Sequence, residues 1–189
     1  KIKKKFNIDQ NKLKHFFLAY NYLTREFPRA IDRFILSELI LNSKKKIVFS
    51  GPGLDHKNWK NINQFKIKNY YDEQFLKNFY QNCKININNN NHGHGMHSRV
   101  LESMGCGGFV LMHKNSFENE TSLNNFFDEN VHYGSYDREN FENVIDYFLK
   151  NEEKRNKIVL KAHEEIKRTH RWDNRAQQIL DDLNEKKIF

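Results

Sequence analysis

His92-Gly93-His94-Gly95-Met96-His97-Ser98-Arg99-Val100-Leu101-Glu102-Ser103-Met104-Gly105-Cys106-Gly107-Gly108-Phe109-Val110-Leu111 is a glycine loop, a helix and a strand in one run. Val100, Leu101 and Met104 have the spacing of one helix face, and Gly105 to Gly108 break it. Phe109-Val110-Leu111-Met112 reads as a buried strand. Upstream, Lys84-Ile85-Asn86-Ile87-Asn88 alternates as a strand does. Strand, loop, helix and strand make a βαβ unit, whose loop lies at the carboxyl edge of a parallel sheet, where such sheets hold ligands. The helix start offers unpaired N–H groups and a partial positive charge, and Arg99 adds a full one. The place suits a phosphate.

Glu102 stands one turn after Arg99. A carboxylate repels the phosphate that Arg99 attracts, but it accepts hydrogen bonds from neutral hydroxyls such as those of a ribose. A cation at the rim and a carboxylate one turn down would serve a nucleoside diphosphate. The bland alternative is an i,i+3 ion pair on a solvated helix, worth only tenths of a kcal/mol. The glycine loops on both sides favour the ligand.

The run from His94 to Val110 resembles the donor-binding motif of the GT-B glycosyltransferases of group-1 type, a Glu, seven residues and a second Glu. Glu102-Ser103-Met104-Gly105-Cys106-Gly107 is similar to that family's Glu-Ala-Met-Ala-Cys-Gly, and Ser98-Arg99-Val100-Leu101-Glu102 resembles the subgroup related to CgeB-type spore-maturation proteins. The resemblance implies an α/β fold: a Rossmann-like parallel sheet with flanking helices and a helical C-terminal region, the C-terminal, nucleotide-sugar-binding half of such an enzyme. It implies Glu102 at the nucleotide ribose, and Arg99, with Ser98, Gly95 and Met96 at the helix start, at the diphosphate. His94 stands where the family carries its first Glu, which leaves the donor sugar open. His94 and His97 are candidates to touch the sugar or the departing phosphate.

The chain has 189 residues, enough for one domain, and its 16 Phe and 8 Tyr can fill a core. Its mean hydropathy of −0.90 reflects abundant Lys and Asn. No apolar run approaches the roughly 20 residues that span a bilayer, and no secretory h-region is present. Cys83 and Cys106 match no metal spacing and make no disulfide framework. A cytoplasmic location is expected, with peripheral attachment to the inner membrane face as an option, because the net charge of +8 suits an anionic surface or phosphorylated substrates. Nucleic acid is disfavoured: the lysines are interleaved with Glu and Asp instead of lining one aromatic face.

Residues 1–12 read as a basic leader, a linker from an N-terminal acceptor domain that is missing or separate, and 13–189 as the nucleotide-sugar-binding domain. His15 to Tyr20 reads as the first strand. Arg25 to Ala30 opens a helix with Pro28 in its first turn, and Ile31, Phe34, Ile35 and Leu39 mark its buried face. Lys46 to Ser50 is the next strand, followed by Gly51-Pro52-Gly53, which the resembling subgroup carries near the nucleotide. The wider family often brings a basic residue after the first strand to the diphosphate, and Arg29 or Arg33 is preferred over Arg25. Phe65 to Lys68 is a short strand. The family's base-contact region then falls on Lys66 to Tyr70, with Lys68 and Tyr70 as candidates. Asp72 caps a helix with Phe75, Leu76, Phe79 and Tyr80 as its apolar stripe.

Further on, a short helix is expected within Ser116 to Phe127, burying Leu123, Phe126 and Phe127. A last strand follows over Val131 to Gly134, then helices over Arg138 to Lys150, Asn151 to Arg168 and Ala176 to Glu185. Thr169 to Ala176 resembles the family's closing segment, with Trp172 and Arg175 bracing the final helix. His92, His94 and His97 raise a zinc site, but their spacing matches no zinc motif and no Cys accompanies them. The expected function is transfer of a sugar from a nucleotide-activated donor, UDP- or GDP-linked, to a glycan, lipid-linked or protein acceptor in polysaccharide or glycoconjugate synthesis. No metal cofactor is expected, and the resemblance implies retention of anomeric configuration. The chain maps onto one half of a GT-B enzyme, so weak or absent transfer in isolation is expected. A non-catalytic nucleotide-sugar-binding module is the rival reading.

Overall fold

A computed structural model describes residues 10–50, 65–68, 73–89, 96–114 and 122–186, with all side chains there except those of Gln10, Arg25, Arg29, Phe49, Ser50, Phe65–Lys68 and Glu73. Three parallel strands, β3 (Asn86–Asn88), β4 (Val110–His113) and β5 (Gly134–Tyr136), form one sheet in that order. A second parallel pair joins β1 (Ile47–Ser50) to β2 (Phe65–Lys68). Asn86 stands opposite Val110, and Leu111 opposite Gly134. Around the strands lie α1 (Gln10–Asn21), a π-helical segment (Tyr22–Glu26), α2 (Phe27–Asn42), α3 (Glu73–Asn82), α4 (Ser98–Gly105), α5 (Phe141–Lys150), α6 (Glu152–Thr169) and α7 (Trp172–Glu185). The class is α/β with a Rossmann-like parallel sheet.

β4 is the centre because Val110, Leu111 and Met112 are apolar on both faces, as a doubly covered parallel strand must be. One face carries Leu111 and Tyr136 against Ile40 of α2, Phe141, Ile145 and Phe148 of α5 and Ile158 of α6. The other carries Val110 and Met112 against Val100 and Met104 of α4, Phe127, Tyr133, and Ala162 and Ile166 of α6. Each such aliphatic or aromatic side chain removed from water contributes roughly 1.5–3 kcal/mol. Arg155, buried in α6, donates to the carbonyls of Phe148 and Leu149 and so closes the end of α5.

The break between α4 and β4 is a packing requirement. Gly107 sits at φ +82°, in the left-handed region. At Gly108 a Cβ would lie 2.6 Å from Asn86 Nδ2, 2.7 Å from Ser103 Oγ and 2.9 Å from the Tyr80 carbonyl. Only glycine lets β4 start so close to α3, β3 and α4.

Six expectations need correction. On α2 the expected buried face holds only in part: Ile35 and Leu39 are half-buried, but Ile31 is 41% and Phe34 65% exposed. His15 to Tyr20 is helical, within α1, and no strand precedes α2 among the described residues. A short apolar run does not separate a strand from a helix, and here local i,i+4 contacts prevail: Phe16 stacks on Tyr20 with centroids 6.3 Å apart, and Thr24 Oγ1 donates to the Tyr20 carbonyl. α2 therefore does not open afresh near Arg25. Helix runs through the π-helical turn, where the Phe27 N–H reaches the Tyr22 carbonyl and makes room for the Pro28 ring. The last strand is Gly134–Tyr136, not Val131 to Gly134. Val131 is exposed, and residues 129–133 form a turn around Asn130 at φ +63°. Between Ser122 and Phe127 the described chain makes only a 3₁₀ turn (Leu123–Asn125), which buries Phe127 and leaves Phe126 exposed. The expected helix from Arg138 begins at Phe141, because Asp137 Oδ1 accepts the N–H groups of Glu139 and Asn140 and holds 138–140 as a turn.

Candidate functional site

α4 starts just beyond the carboxyl edge of β3, as a βαβ unit requires. His97 is its N-cap, with Nδ1 accepting the Arg99 N–H at 3.1 Å, so that nitrogen is unprotonated in this geometry. Ser98 is the first helical residue, and the helix start brings its partial positive charge to this edge.

Arg99 and Glu102 lie together on one face of α4. Arg99 Nε is 3.8 Å from Glu102 Oε2, and the Tyr80 hydroxyl donates to the same oxygen at 3.4 Å. The expected stripe residue Tyr80 is thus core at its ring and polar at its tip. Burial raises the Tyr80 phenol above its ordinary pKa, outweighing the opposing pull of Arg99, and the Glu102 charge adds to the rise, so the hydroxyl stays a donor. The ion pair is real, but with side chains 34% and 44% exposed it is worth at most about 1 kcal/mol. It is also more than a solvated pair, because Arg99 lines a cavity of about 620 Å³ between Ile47–Val48 of β1 and Ile85–Asn88. Among the described residues its charged lining is Lys45, Lys46, Lys84 and Arg99, with Lys45 Nζ paired to Asp146 Oδ1.

Met96 and His97 belong elsewhere. They line a second cavity of about 420 Å³ with His113 and Lys114 at the end of β4, Ser135 of β5 and Glu129. Ser135 Oγ donates to Glu129 Oε1 at 2.5 Å. The residues read from sequence as one pocket therefore sit on two sides of α4: Met96 and His97 on the β4–β5 side, Arg99 and Glu102 on the β1–β3 side. Met96 and His97 precede the first helical residue, in extended backbone at the N-cap, so their side chains are not bound to the helix face that carries Arg99 and Glu102.

Of the remaining candidates, Arg33 is an exposed residue of α2, while Arg29 lies in the same helix and Lys68 at the carboxyl end of β2. Gly51, Gly53, Tyr70, Asp72, His92, His94 and Gly95 lie outside the described residues. Among the described residues no group of three or more His, Cys, Asp or Glu is placed to hold a metal ion, and no helix is long and apolar enough to cross a membrane. Trp172, expected to brace α7, is 89% exposed. Arg175 does brace, through a 2.9 Å contact with His170 Nδ1.

Sequence reasoning passed over Tyr80, Lys114, Glu129 and Ser135. The signal for Lys114 and Ser135 is positional, since each lies at the carboxyl end of a parallel strand or next to it. Searches of curated proteins and of solved structures found no match to the chain. A sequence model described as glycosyl transferase-like matches residues 25–181, which takes in α2, every strand and both cavities. By that match, covering well over half its length, the chain belongs to the glycosyl transferase-like family.

Proposed function

We propose that this glycosyltransferase-like chain is the nucleotide-sugar-binding half of a GT-B enzyme, which transfers the sugar of a UDP- or GDP-linked donor to a glycan, lipid-linked or protein acceptor. The diphosphate lies at the start of α4. As the bond from the anomeric carbon to the phosphate oxygen breaks, its electron pair goes to the leaving diphosphate. Arg99 and the first N–H groups of α4 stabilise that charge in the manner of an oxyanion hole. Fixed positive groups do the work that a divalent ion does elsewhere, so no metal is required. Glu102 accepts the ribose hydroxyls. Gly51, Gly53, Lys68 and Tyr70 frame the base side, Arg29 or Arg33 adds a second positive group, and His94 and His97 contact the sugar or the departing phosphate. The acceptor comes from a second domain or partner, in the cytoplasm and with retention of configuration.

The observation that carries this reading is the Arg99–Glu102 pair, anchored by the Tyr80 hydroxyl, with Arg99 and Tyr80 lining a cavity whose charged residues, among those described, are Arg99 and three lysines. Calorimetric titration with UDP, GDP, CDP and ADP tests it. One of them binds, and Arg99→Ala weakens that binding at least about tenfold, or ~1.4 kcal/mol. An unchanged affinity removes Arg99 from the site.

A further inference from the structure

The cavity of about 420 Å³ beside the start of α4 has an apolar floor and a polar rim, the make-up of a small-molecule site. Val100, Met112 and Phe127 form the floor, and all three are buried. At the rim the chain turns back on itself before β5. Glu129 bridges to Tyr133, and the Asn130 N–H donates to the Tyr133 carbonyl at 2.7 Å. The turn brings Glu129 to the buried Ser135 of β5, whose Oγ donates to Glu129 Oε1. That charge-assisted bond fixes where the second carboxylate oxygen lies. Among the described residues no lysine, arginine or histidine pairs with Glu129, so the carboxylate stands at the rim without a cation of its own.

This chemistry narrows the ligand. A pyranose ring offers C–H faces to an apolar floor and hydroxyls whose protons a carboxylate accepts in charge-assisted bonds. Glu129 and the exposed Asp128 set two carboxylates against Lys114, the one Lys or Arg of the lining among the described residues. That balance disfavours a sugar bearing an acidic group, because like charges brought together cost binding. Met96 and His97 line the same cavity at the start of α4, where the diphosphate is proposed to lie, so a sugar joined to that diphosphate reaches the cavity directly.

We infer that this cavity takes the donor's sugar, and that Glu129, held by Ser135, selects an uncharged sugar over an acidic one. This rests on the nucleotide-sugar reading above and adds the residue that sets the class of sugar. The parent chain, Glu129→Gln and Ser135→Ala are titrated with UDP, UDP-glucose and UDP-glucuronic acid, and with GDP, GDP-mannose and GDP-mannuronic acid. The melting temperature of each ligand-free protein is the control for folding. With one of the two nucleotides, the parent binds the neutral conjugate at least about tenfold more tightly than the acidic one. Glu129→Gln narrows that ratio to about threefold or less, while affinity for the matching diphosphate stays within about twofold. Ser135→Ala leaves the carboxylate charged but no longer held, and it weakens the neutral conjugate at least about threefold while sparing the diphosphate. A diphosphate that binds with no preference between its two conjugates in the parent overturns this inference alone, as does a preference that Glu129→Gln leaves unchanged. Failure of every nucleotide to bind overturns the nucleotide-sugar reading and this inference with it.

Discussion

Replacing Gly108 with alanine would put a methyl group where three partners already stand, at 2.6 Å (Asn86 Nδ2), 2.7 Å (Ser103 Oγ) and 2.9 Å (Tyr80 carbonyl). Asn86 is the first to yield, but it is buried, and its Nδ2 donates to the Tyr80 carbonyl at 3.0 Å and the Phe109 carbonyl at 3.3 Å. The Tyr80 carbonyl belongs to α3 and cannot swing aside. Overpacking costs about 1–3 kcal/mol, and each hydrogen bond lost as Asn86 retreats costs about 1 kcal/mol more. The expected loss is roughly 2–5 kcal/mol, which for a chain of this size lowers the melting temperature by about 5–20 °C. Urea unfolding with an unchanged slope, alongside calorimetry, reads it. Gly107→Ala is the matched comparison: nothing lies within 4 Å of its Cβ, so only the positive φ is penalised, at about 1–2 kcal/mol. A Gly108→Ala loss below about 1 kcal/mol, or one no larger than that of Gly107→Ala, refutes the close-packing account.

Trp172→Ala changes stability by less than about 0.5 kcal/mol, because the indole is nearly all in solvent; a larger loss in urea unfolding would show that it braces α7 after all. Burial, and then the Arg175 charge, hold the His170 pKa below its ordinary value. The folded state therefore resists a proton that the unfolded state takes up, and stability is lost as pH falls from roughly 6.5 toward the lower folded value. His170→Phe, which keeps the ring stacked on Phe127, flattens the fall in melting temperature between pH 7.5 and 5; an unaltered slope assigns the pH dependence to other groups.

Legibility followed the range of the interaction. The βαβ unit around α4 was readable because glycines, β-branched residues and a helical stripe are local signals, and β4 emerged one residue from its expected bounds. The 15–20 run was not, because the five apolar residues that follow His15 satisfy either backbone, and contacts beyond the run decide between them. The last strand slipped toward Tyr136 because Gly134 is demanded by ring atoms of Phe148 and Phe109, which no local pattern announces. At the site, Arg99 and Glu102 could be paired from their spacing. Tyr80 could not be added to them, since it looks like any other member of an apolar stripe until α3 is laid against α4.

From the residues in order one could know that a glycine-bounded helix opens at the edge of a parallel sheet with a cation and a carboxylate one turn apart, because backbone conformation and helical spacing depend on near neighbours. Only the tertiary structure decided that α4 divides the candidate residues between two cavities, and that Met96, Lys114 and Glu129 border the same one. Those arrangements depend on strand register and on which helix covers which face, and both are settled by packing between segments far apart in the chain.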